Sequence, residues 1–396
     1  MTARPLGLNL RDIKESLIAL VIGTVAAIFA GIFLGKAEEL LLILPGLIIL
    51  IPGALNTRGA IFAALGSRLS SGMHLGVITK FYIKNMAVTK NIYATTTLNI
   101  SLSIILGIFA WVISYFLNIH SISVFHFIFI SVIGGVLSGL ILLFITFAIS
   151  FKSYKRGWDP DNITSPIITT SGDLITVPSI IFAGVAALYL PFIEVISALI
   201  IIIVLIEFVL LFVLNRRHKE IVKQSFFILL ISGFLSSLAG VFVQVNLHYF
   251  IAFPILLVIF PAFIAIGGNI GNIFAARTST RLHLGLKGGF LSNFKIEGLS
   301  SYILCIIIFP FISLVAFLAT NHVSIIATEF FMTTVFIAIS GIIVTAFVLV
   351  VSSIMAYFSY RFDLDPDNVI IPIVTGSADF IGIIVLISVL HGFGFV

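Results

Sequence analysis

Two stretches of the sequence, DPDNITSPIITTSGD at residues 159–173 and DPDNVIIPIVTGSAD at residues 365–379, repeat one acidic, proline-containing phrase. In each copy the Asp-Pro pair disfavours helix before the proline. The Asp and Asn that follow are good helix caps, so we predict capping roles for Asp161, Asn162, Asp367 and Asn368. Each copy ends on an aspartate, Asp173 or Asp379, just before another apolar run.

The composition around these phrases is that of a membrane protein. The chain has 396 residues, of which 60% are hydrophobic and 9% are charged, whereas soluble domains are about 25% charged. Long apolar runs favour transmembrane helices over the alternating strands of a barrel. We therefore predict an all-α integral membrane protein with about eleven spans, at 15–35, 39–68, 92–117, 122–151, 163–190, 193–214, 222–245, 249–278, 297–319, 324–358 and 369–391.

The basic residues predict the orientation of the chain. Lys and Arg concentrate in alternate loops, while the loops between them carry almost none. Because cytoplasmic loops are enriched in Lys and Arg, we expect a cytoplasmic N-terminus, an extracytoplasmic C-terminus and a multi-pass location in the plasma membrane. The net charge of +5 then reports topology, and we expect no nucleic-acid partner. We interpret the first span as a retained helix, not a signal peptide.

A second pair of motifs shows that the chain is duplicated. Residues 52–76 read PGALNTRGAIFAALGSRLSSGMHLG, and residues 261–285 read PAFIAIGGNIGNIFAARTSTRLHLG. Both motif pairs occur in the same order at nearly the same offset, which indicates two five-helix repeats. We assign the first to residues 1–190 and the second to residues 222–396, with a linking helix and loop at 191–221.

The linking span sets how the repeats are related. Five spans are an odd number, so a sixth span at 193–214 returns the chain to its starting side. The repeats are then parallel and related by a pseudo-twofold axis along the membrane normal. We therefore expect a fused pseudo-dimer that acts as a monomer.

The two terminal aspartates are the leading candidates for a cation site. Thirteen residues separate Pro160 from Asp173, which is up to about 20 Å of helix in a hydrocarbon core about 30 Å thick. An ionised carboxylate at that depth costs about 2.5–3.5 kcal/mol. If the fifth helices flank the axis, Asp173 and Asp379 face each other, and a hard divalent cation that keeps several waters fits between them.

The residues before each aspartate supply further candidate ligands. Pro166 and Pro372, followed by Ser and Thr, predict an unwound segment that lines a wet cavity. Its oxygens could add to the cation site, at Thr169, Ser171, Thr375 and Ser377.

The motif GGNIGN at residues 267–272 has too many glycines for a stable helix interior. Its amides, Asn269 and Asn272, could coordinate or hydrate a cation. The first repeat carries Arg58 and Ala60 where the second carries Gly267 and Asn269, so the repeats are not equivalent at this level. Near the ends of these helices, Arg68 and Arg277 are expected to reach the membrane surface.

Together these motifs resemble the MgtE family of magnesium transporters, most closely its duplicated solute-carrier branch in eukaryotes and archaea. The resemblance rests on GGNxGN in the second repeat and DPDN…P…T…D in both, and it covers essentially the whole chain. It implies a five-helix unit used twice, a central pore and Mg²⁺ as the transported ion. It also implies that Asp173, Asp379, Asn269 and Asn272 line the ion pathway.

Other interpretations remain open at this point. Asp173 and Asp379 could be hydrogen-bonded residues that tie helices together, and the asparagines could do the same. A Na⁺- or H⁺-coupled exchanger or exporter of Mg²⁺ would look the same in sequence. An intramembrane aspartyl protease also needs two membrane aspartates, but the GxGD context of such enzymes is missing from TSGD and GSAD, so we expect no enzyme.

Overall fold

A computed structural model of the chain describes residues 10–74, 76, 78, 85–156, 165–214, 219–283, 289–320, 327–362 and 366–393. Every regular element in these ranges is an α-helix. Ten of the described helices are long and apolar enough to cross a membrane. The linking helix is the eleventh predicted span, and the prediction of an all-α integral membrane protein is confirmed.

The helices come in two matching series of six, separated by the linking helix α7 (Ile193–Leu214). Corresponding helices have nearly equal lengths, and the short second helix, of six residues, occurs in both series. The first series is α1 (Leu10–Lys36), α2 (Glu38–Ile43), α3 (Leu47–His74), α4 (Met86–Phe116), α5 (Val124–Arg156) and α6 (Ser165–Tyr189). The second is α8 (Lys219–Val245), α9 (Leu247–Ala252), α10 (Ile255–His283), α11 (Gly289–Ala319), α12 (Ala327–Phe362) and α13 (Pro366–Gly392).

The predicted spans at 39–68 and 249–278 are wrong in one respect, because each is two helices. Pro45 separates α2 from α3, and Pro254 separates α9 from α10. The residue before each proline leaves the helical region, with φ −113°, ψ 74° at Leu44 and φ −125°, ψ 80° at Phe253. Steric conflict with the proline ring explains both breaks, and their equivalent positions extend the internal repeat.

The two series interlock through their first helices. Helix α1 packs along α10 and α11 of the other series as well as α6 of its own, and α8 packs along α3, α4 and α13 in the same way. Glycines allow the two crossings: a Cβ on Gly240 would lie 2.6 Å from the Cα of Ile49, and a Cβ on Gly31 would overlap the backbone of Val258. These are equivalent positions, 209 residues apart, and we propose on this basis that the chain is two interlocked repeats.

A polar pair on the second and third long helices repeats as well. In the first repeat Arg68 Nε donates to Asn91 Oδ1 at 2.9 Å. In the second, Arg277 pairs with Glu297, with 3.4 Å between Nη1 and Oε2, and Nη2 donates to the α1 residue Ser16 at 2.7 Å. The arginines, for which we predicted a position at the membrane surface, therefore also connect helices.

The helices that carry the acidic phrases are continuous. The expectation of an unwound segment is wrong, because α6 and α13 run as α-helix through TTSG and TGSA. Their backbone carbonyls are therefore engaged along the helix. The predicted caps Asp161 and Asn162 lie outside the described residues, as do the side chains of Asp367 and Asn368.

Candidate functional site

A cavity of about 40 Å³ lies where the two repeats meet. Because about 10–15 Å³ of cavity volume measured in this way holds one water molecule, the cavity has room for a few water molecules. Its lining comes from the second and fifth long helices of both repeats, α3, α6, α10 and α13. The lining residues are Leu55, Asn56, Ala60, Thr169, Asp173, Pro261, Ile264, Ala265, Asn269, Asn272, Ile371, Thr375 and Asp379.

Most of this lining consists of equivalent positions from the two repeats. Asp173 and Asp379 both lie on it, and one helical turn before each aspartate are Thr169 and Thr375. Leu55 on α3 matches Ile264 on α10 in the same way. The structure thus brings the two terminal aspartates of the sequence phrases into one cavity.

Both carboxylates are buried, and neither has a positive partner in the part of the chain that the structure describes. Asp173 is 9% exposed and Asp379 is 3% exposed, and Asp379 lies midway along α13. Asp379 Oδ2 accepts a hydrogen bond of 2.6 Å from Ser236 Oγ on α8. Among the described residues no Lys, Arg or His forms an ion pair with either aspartate. Two carboxylates that share a cavity repel each other when both are ionised, so the site favours a positive ligand.

The predicted asparagines also reach this cavity. Asn272 Nδ2 donates to Thr375 Oγ1 at 3.0 Å. Its Oδ1 is buried and has no hydrogen-bond partner among the described residues. An unpartnered carbonyl oxygen inside a protein is costly, and a cation or its bound water would satisfy this one. Asn269 lines the cavity one turn earlier on α10.

Ser171 and Ser377, two of the candidate ligands, are absent from the cavity lining. The continuous helices explain this, because residues two positions from Thr169 and Asp173, or from Thr375 and Asp379, point to another side of the helix. Ser171 Oγ donates instead to the carbonyl of Ile167 at 2.8 Å. Thr169 and Thr375 remain as the hydroxyl candidates.

The site contains two residues that are not among the predicted ligands. Asn56 lines the cavity from α3, and Ser236 reaches Asp379 from α8. Ser236 lies within an apolar run with no motif around it. Its one signal in the sequence is that it is a polar residue in a predicted transmembrane helix. The repeat alignment could have shown Asn56, since its equivalent, Ala265, lies one turn before Asn269.

Arg58 points away from the cavity, although it occupies the position of Gly267. It is 1% exposed, and its Nη2 donates to the carbonyl of Ser131 on α5 at 2.9 Å. Nε and Nη1 have no partner among the described residues. The guanidinium is therefore no counter-charge for the aspartates, and the repeats differ here as the sequence predicts.

The donor set fits a hard cation. The polar groups on the cavity lining are carboxylates, amides and hydroxyls, and oxygen ligands of this kind suit Mg²⁺ and Ca²⁺. The described residues contain no group of three or more His, Cys, Asp or Glu that could hold a metal ion. A cation here would be bound by two carboxylates with amides, hydroxyls and water.

Comparison with known families agrees with this geometry. The model of the MgtE family, described as divalent cation transporter, matches residues 51–183 and 260–389, which together exceed half of the chain. The chain belongs to the MgtE family. Each match contains one second and one fifth long helix, so the family pattern falls on the helices that line the cavity. Membership in this family places the chain among membrane transporters.

Curated relatives of this MgtE family member include solute carrier family 41 proteins. Member 3 from Rattus norvegicus is 25% identical over 370 residues, which cover 85% of this chain and 77% of the relative. Member 2 from Homo sapiens is 25% identical over 382 residues, which cover 87% of this chain and 63% of the relative. No solved structure matches the chain significantly. The suspected family and its duplicated branch are thus confirmed.

Proposed function

We propose that this protein transports Mg²⁺ across the membrane along a path between its two repeats, with Asp173 and Asp379 holding the ion. The observation that carries the proposal is the meeting of two buried carboxylates, neither ion-paired among the described residues, in one cavity at the repeat interface. A divalent cation between them neutralises both charges at once. One monovalent ion, or one proton, would leave a negative charge buried.

The other groups on the cavity lining support a partly hydrated Mg²⁺. Mg²⁺ releases its waters reluctantly and binds proteins through one or two carboxylates with several waters retained. The cavity has room for a few waters, and Asn272 Oδ1 needs a positive or hydrogen-bonding partner. Asn269, Thr169 and Thr375 offer further oxygens to the ion or to its waters.

The proposal includes an arrangement in the cell. The N-terminus lies in the cytoplasm, the C-terminus lies outside, and the chain acts as a monomer in the plasma membrane. The distribution of basic loops supports the orientation. The interlocked repeats support the monomer, because one chain already supplies both sides of the cavity, with five lining residues from the first repeat and eight from the second.

Flux through purified protein tests the proposal. Proteoliposomes that enclose a fluorescent Mg²⁺ indicator should show a saturable rise in internal Mg²⁺ when the ion is added outside. The double variant Asp173→Asn/Asp379→Asn keeps the side-chain shapes and should abolish this flux. Flux at the wild-type rate in the double variant would remove the proposed site, and no flux in wild type would remove the proposed activity.

Coupling to a second ion is tested in the same vesicles. Carboxylates without a cationic partner can also take protons, so a Na⁺- or H⁺-coupled exchanger could use this site. Imposed pH or Na⁺ gradients that drive Mg²⁺ uphill would identify an exchanger. Flux that follows only the Mg²⁺ gradient and the membrane potential would identify a channel.

A further inference from the structure

The cavity receives amide groups from both repeats, but at different levels. In the second repeat they are Asn269 and Asn272, whereas the equivalent positions in the first repeat are Ala60 and Ala63. The first repeat instead places Asn56 on the cavity lining. Asn56 precedes Ala60 by four residues, or about 6 Å along the helix. The first repeat thus keeps an amide at the cavity, moved by one helical turn.

Hydrogen bonds fix which atom of the Asn56 amide faces the cavity. On α8 the Ser232 hydroxyl donates to the carbonyl of Pro372, and the Ser236 hydroxyl donates to Asp379 Oδ2 at 2.6 Å. A serine hydroxyl has a single hydrogen, so toward Asn56 both oxygens can only accept.

Asn56 must therefore turn its NH₂ group toward α8. Its Nδ2 lies 2.7 Å from Ser232 Oγ and 2.6 Å from Ser236 Oγ. Its carbonyl oxygen, Oδ1, is left without a protein partner among the described residues. Since Asn56 lines the cavity, its Oδ1 is the amide atom that is available to bind a ligand in the cavity.

We propose that Asn56 is a cation ligand of the first repeat, which presents Oδ1 to the ion or to one of its waters. This rests on the proposed function of the same cavity. Ser232 and Ser236 are positioning residues, because they hold the NH₂ group, which would repel a cation, away from the ion. Through Ser236 the same network holds one carboxylate oxygen of Asp379.

The network exists on one side only, which argues against a general role in holding helices together. The positions on α1 equivalent to Ser232 and Ser236 are Gly23 and Ala27, and neither has a hydroxyl. Among the described residues, Asp173 therefore has no counterpart of the hydrogen bond that Asp379 accepts from Ser236. The ion would then be held by an oriented carboxylate and amide on one side and a less constrained carboxylate on the other.

The test measures Mg²⁺ affinity in proteoliposomes that enclose a fluorescent Mg²⁺ indicator. Asn56→Ala should raise the half-saturating Mg²⁺ concentration about tenfold, the effect of losing one hydrogen bond or ligand to a charged group. Ser232→Ala/Ser236→Ala should also raise it, because the amide is then free to rotate. Asn56→Leu, which keeps the branching and the number of heavy atoms of the side chain, replaces the alanine variant if that variant unfolds.

Asn99 provides the matched control. It is a buried asparagine of the first repeat, and its Nδ2 donates to the carbonyl of Gly135 at 2.8 Å, away from the cavity. Asn99→Ala should lower the unfolding temperature and change the half-saturating Mg²⁺ concentration less than about twofold. An unchanged value in both Asn56 variants would overturn the inference, and so would an equal rise in Asn99→Ala. Absence of Mg²⁺ flux in wild type would instead overturn the proposed function, and this inference with it.

Discussion

Replacing Ser236 with alanine isolates the support that one repeat gives to Asp379. The serine hydroxyl donates a 2.6 Å hydrogen bond to the carboxylate and accepts one of 2.6 Å from Asn56. A hydrogen bond to a charged group contributes about 1.5–3 kcal/mol. Because Asp379 also lines the cavity, water can partly replace the lost donor, and the lower end of this range applies.

The expected result is a change in affinity for the ion. A loss of about 1.5 kcal/mol is about a tenfold rise in the half-saturating Mg²⁺ concentration. Flux into proteoliposomes at a series of Mg²⁺ concentrations measures it, with folded protein quantified by size-exclusion chromatography. The maximal rate should change less than the half-saturating concentration, because both carboxylates remain.

The neighbouring serine is the control for this substitution. Ser237 is equally buried, but its hydroxyl has no hydrogen-bond partner among the described residues. Ser237→Ala should leave the half-saturating concentration within about twofold of wild type, since no hydrogen bond is lost. If the two variants shift the Mg²⁺ dependence equally, or if neither does, the assignment of Ser236 as a support for Asp379 is wrong.

Three further substitutions test the fold and its buried charges. Gly240→Val should lower the thermal unfolding temperature in detergent, because the added side chain would clash with the Ile49 backbone. The expected cost is about 1–3 kcal/mol or more. An unchanged temperature would refute the close crossing of α8 and α3. Arg58→Met should raise that temperature and stabilise the fold by about 1–3 kcal/mol. It removes a buried cation in which two nitrogens, Nε and Nη1, have no hydrogen-bond partner among the described residues. A clear drop would show that the guanidinium has a further partner besides Ser131. Glu297→Gln should destabilise the fold, because Glu297 is 5% exposed and the substitution removes the counter-charge of Arg277. The loss should stay below about 3–5 kcal/mol, the cost of a fully broken buried pair, since Arg277 also bonds to Ser16 on α1; an unchanged unfolding temperature would show that the ion pair does not stabilise this end.

Much of the architecture was predictable, because both the apolar runs and the internal duplication can be recognised in the sequence. The lengths of the apolar runs predict the transmembrane helices, and the repeated phrases place Asp173 and Asp379 at equivalent positions. Prolines were the main source of error. Pro45 and Pro254 break helices within predicted spans, whereas Pro372 lies inside the continuous helix α13. Whether a proline breaks a helix or lies within one also depends on packing against neighbouring helices, and the local sequence does not show that packing.

The cavity itself was only partly predictable. Asp173, Asp379, Asn269, Asn272, Thr169 and Thr375 all lie on it, because motif spacing and helix periodicity place them there. The interlocking of the repeats was not predictable, since it depends on which helices meet in space. Asn56 and Ser236 meet only because α8 packs against the first repeat, and Ser236 belongs to no repeated motif.

A density map of the purified protein in lipid nanodiscs, recorded with Mg²⁺ and again after its removal by chelation, would show whether Asp173 and Asp379 hold the ion. We expect a peak in the Mg²⁺ map between the carboxylates of Asp173 and Asp379, within reach of Asn272, that is absent after chelation. A cavity that is identical in both maps, in protein shown to transport Mg²⁺, would contradict it. So would an ion bound elsewhere along the path with both carboxylates left unoccupied.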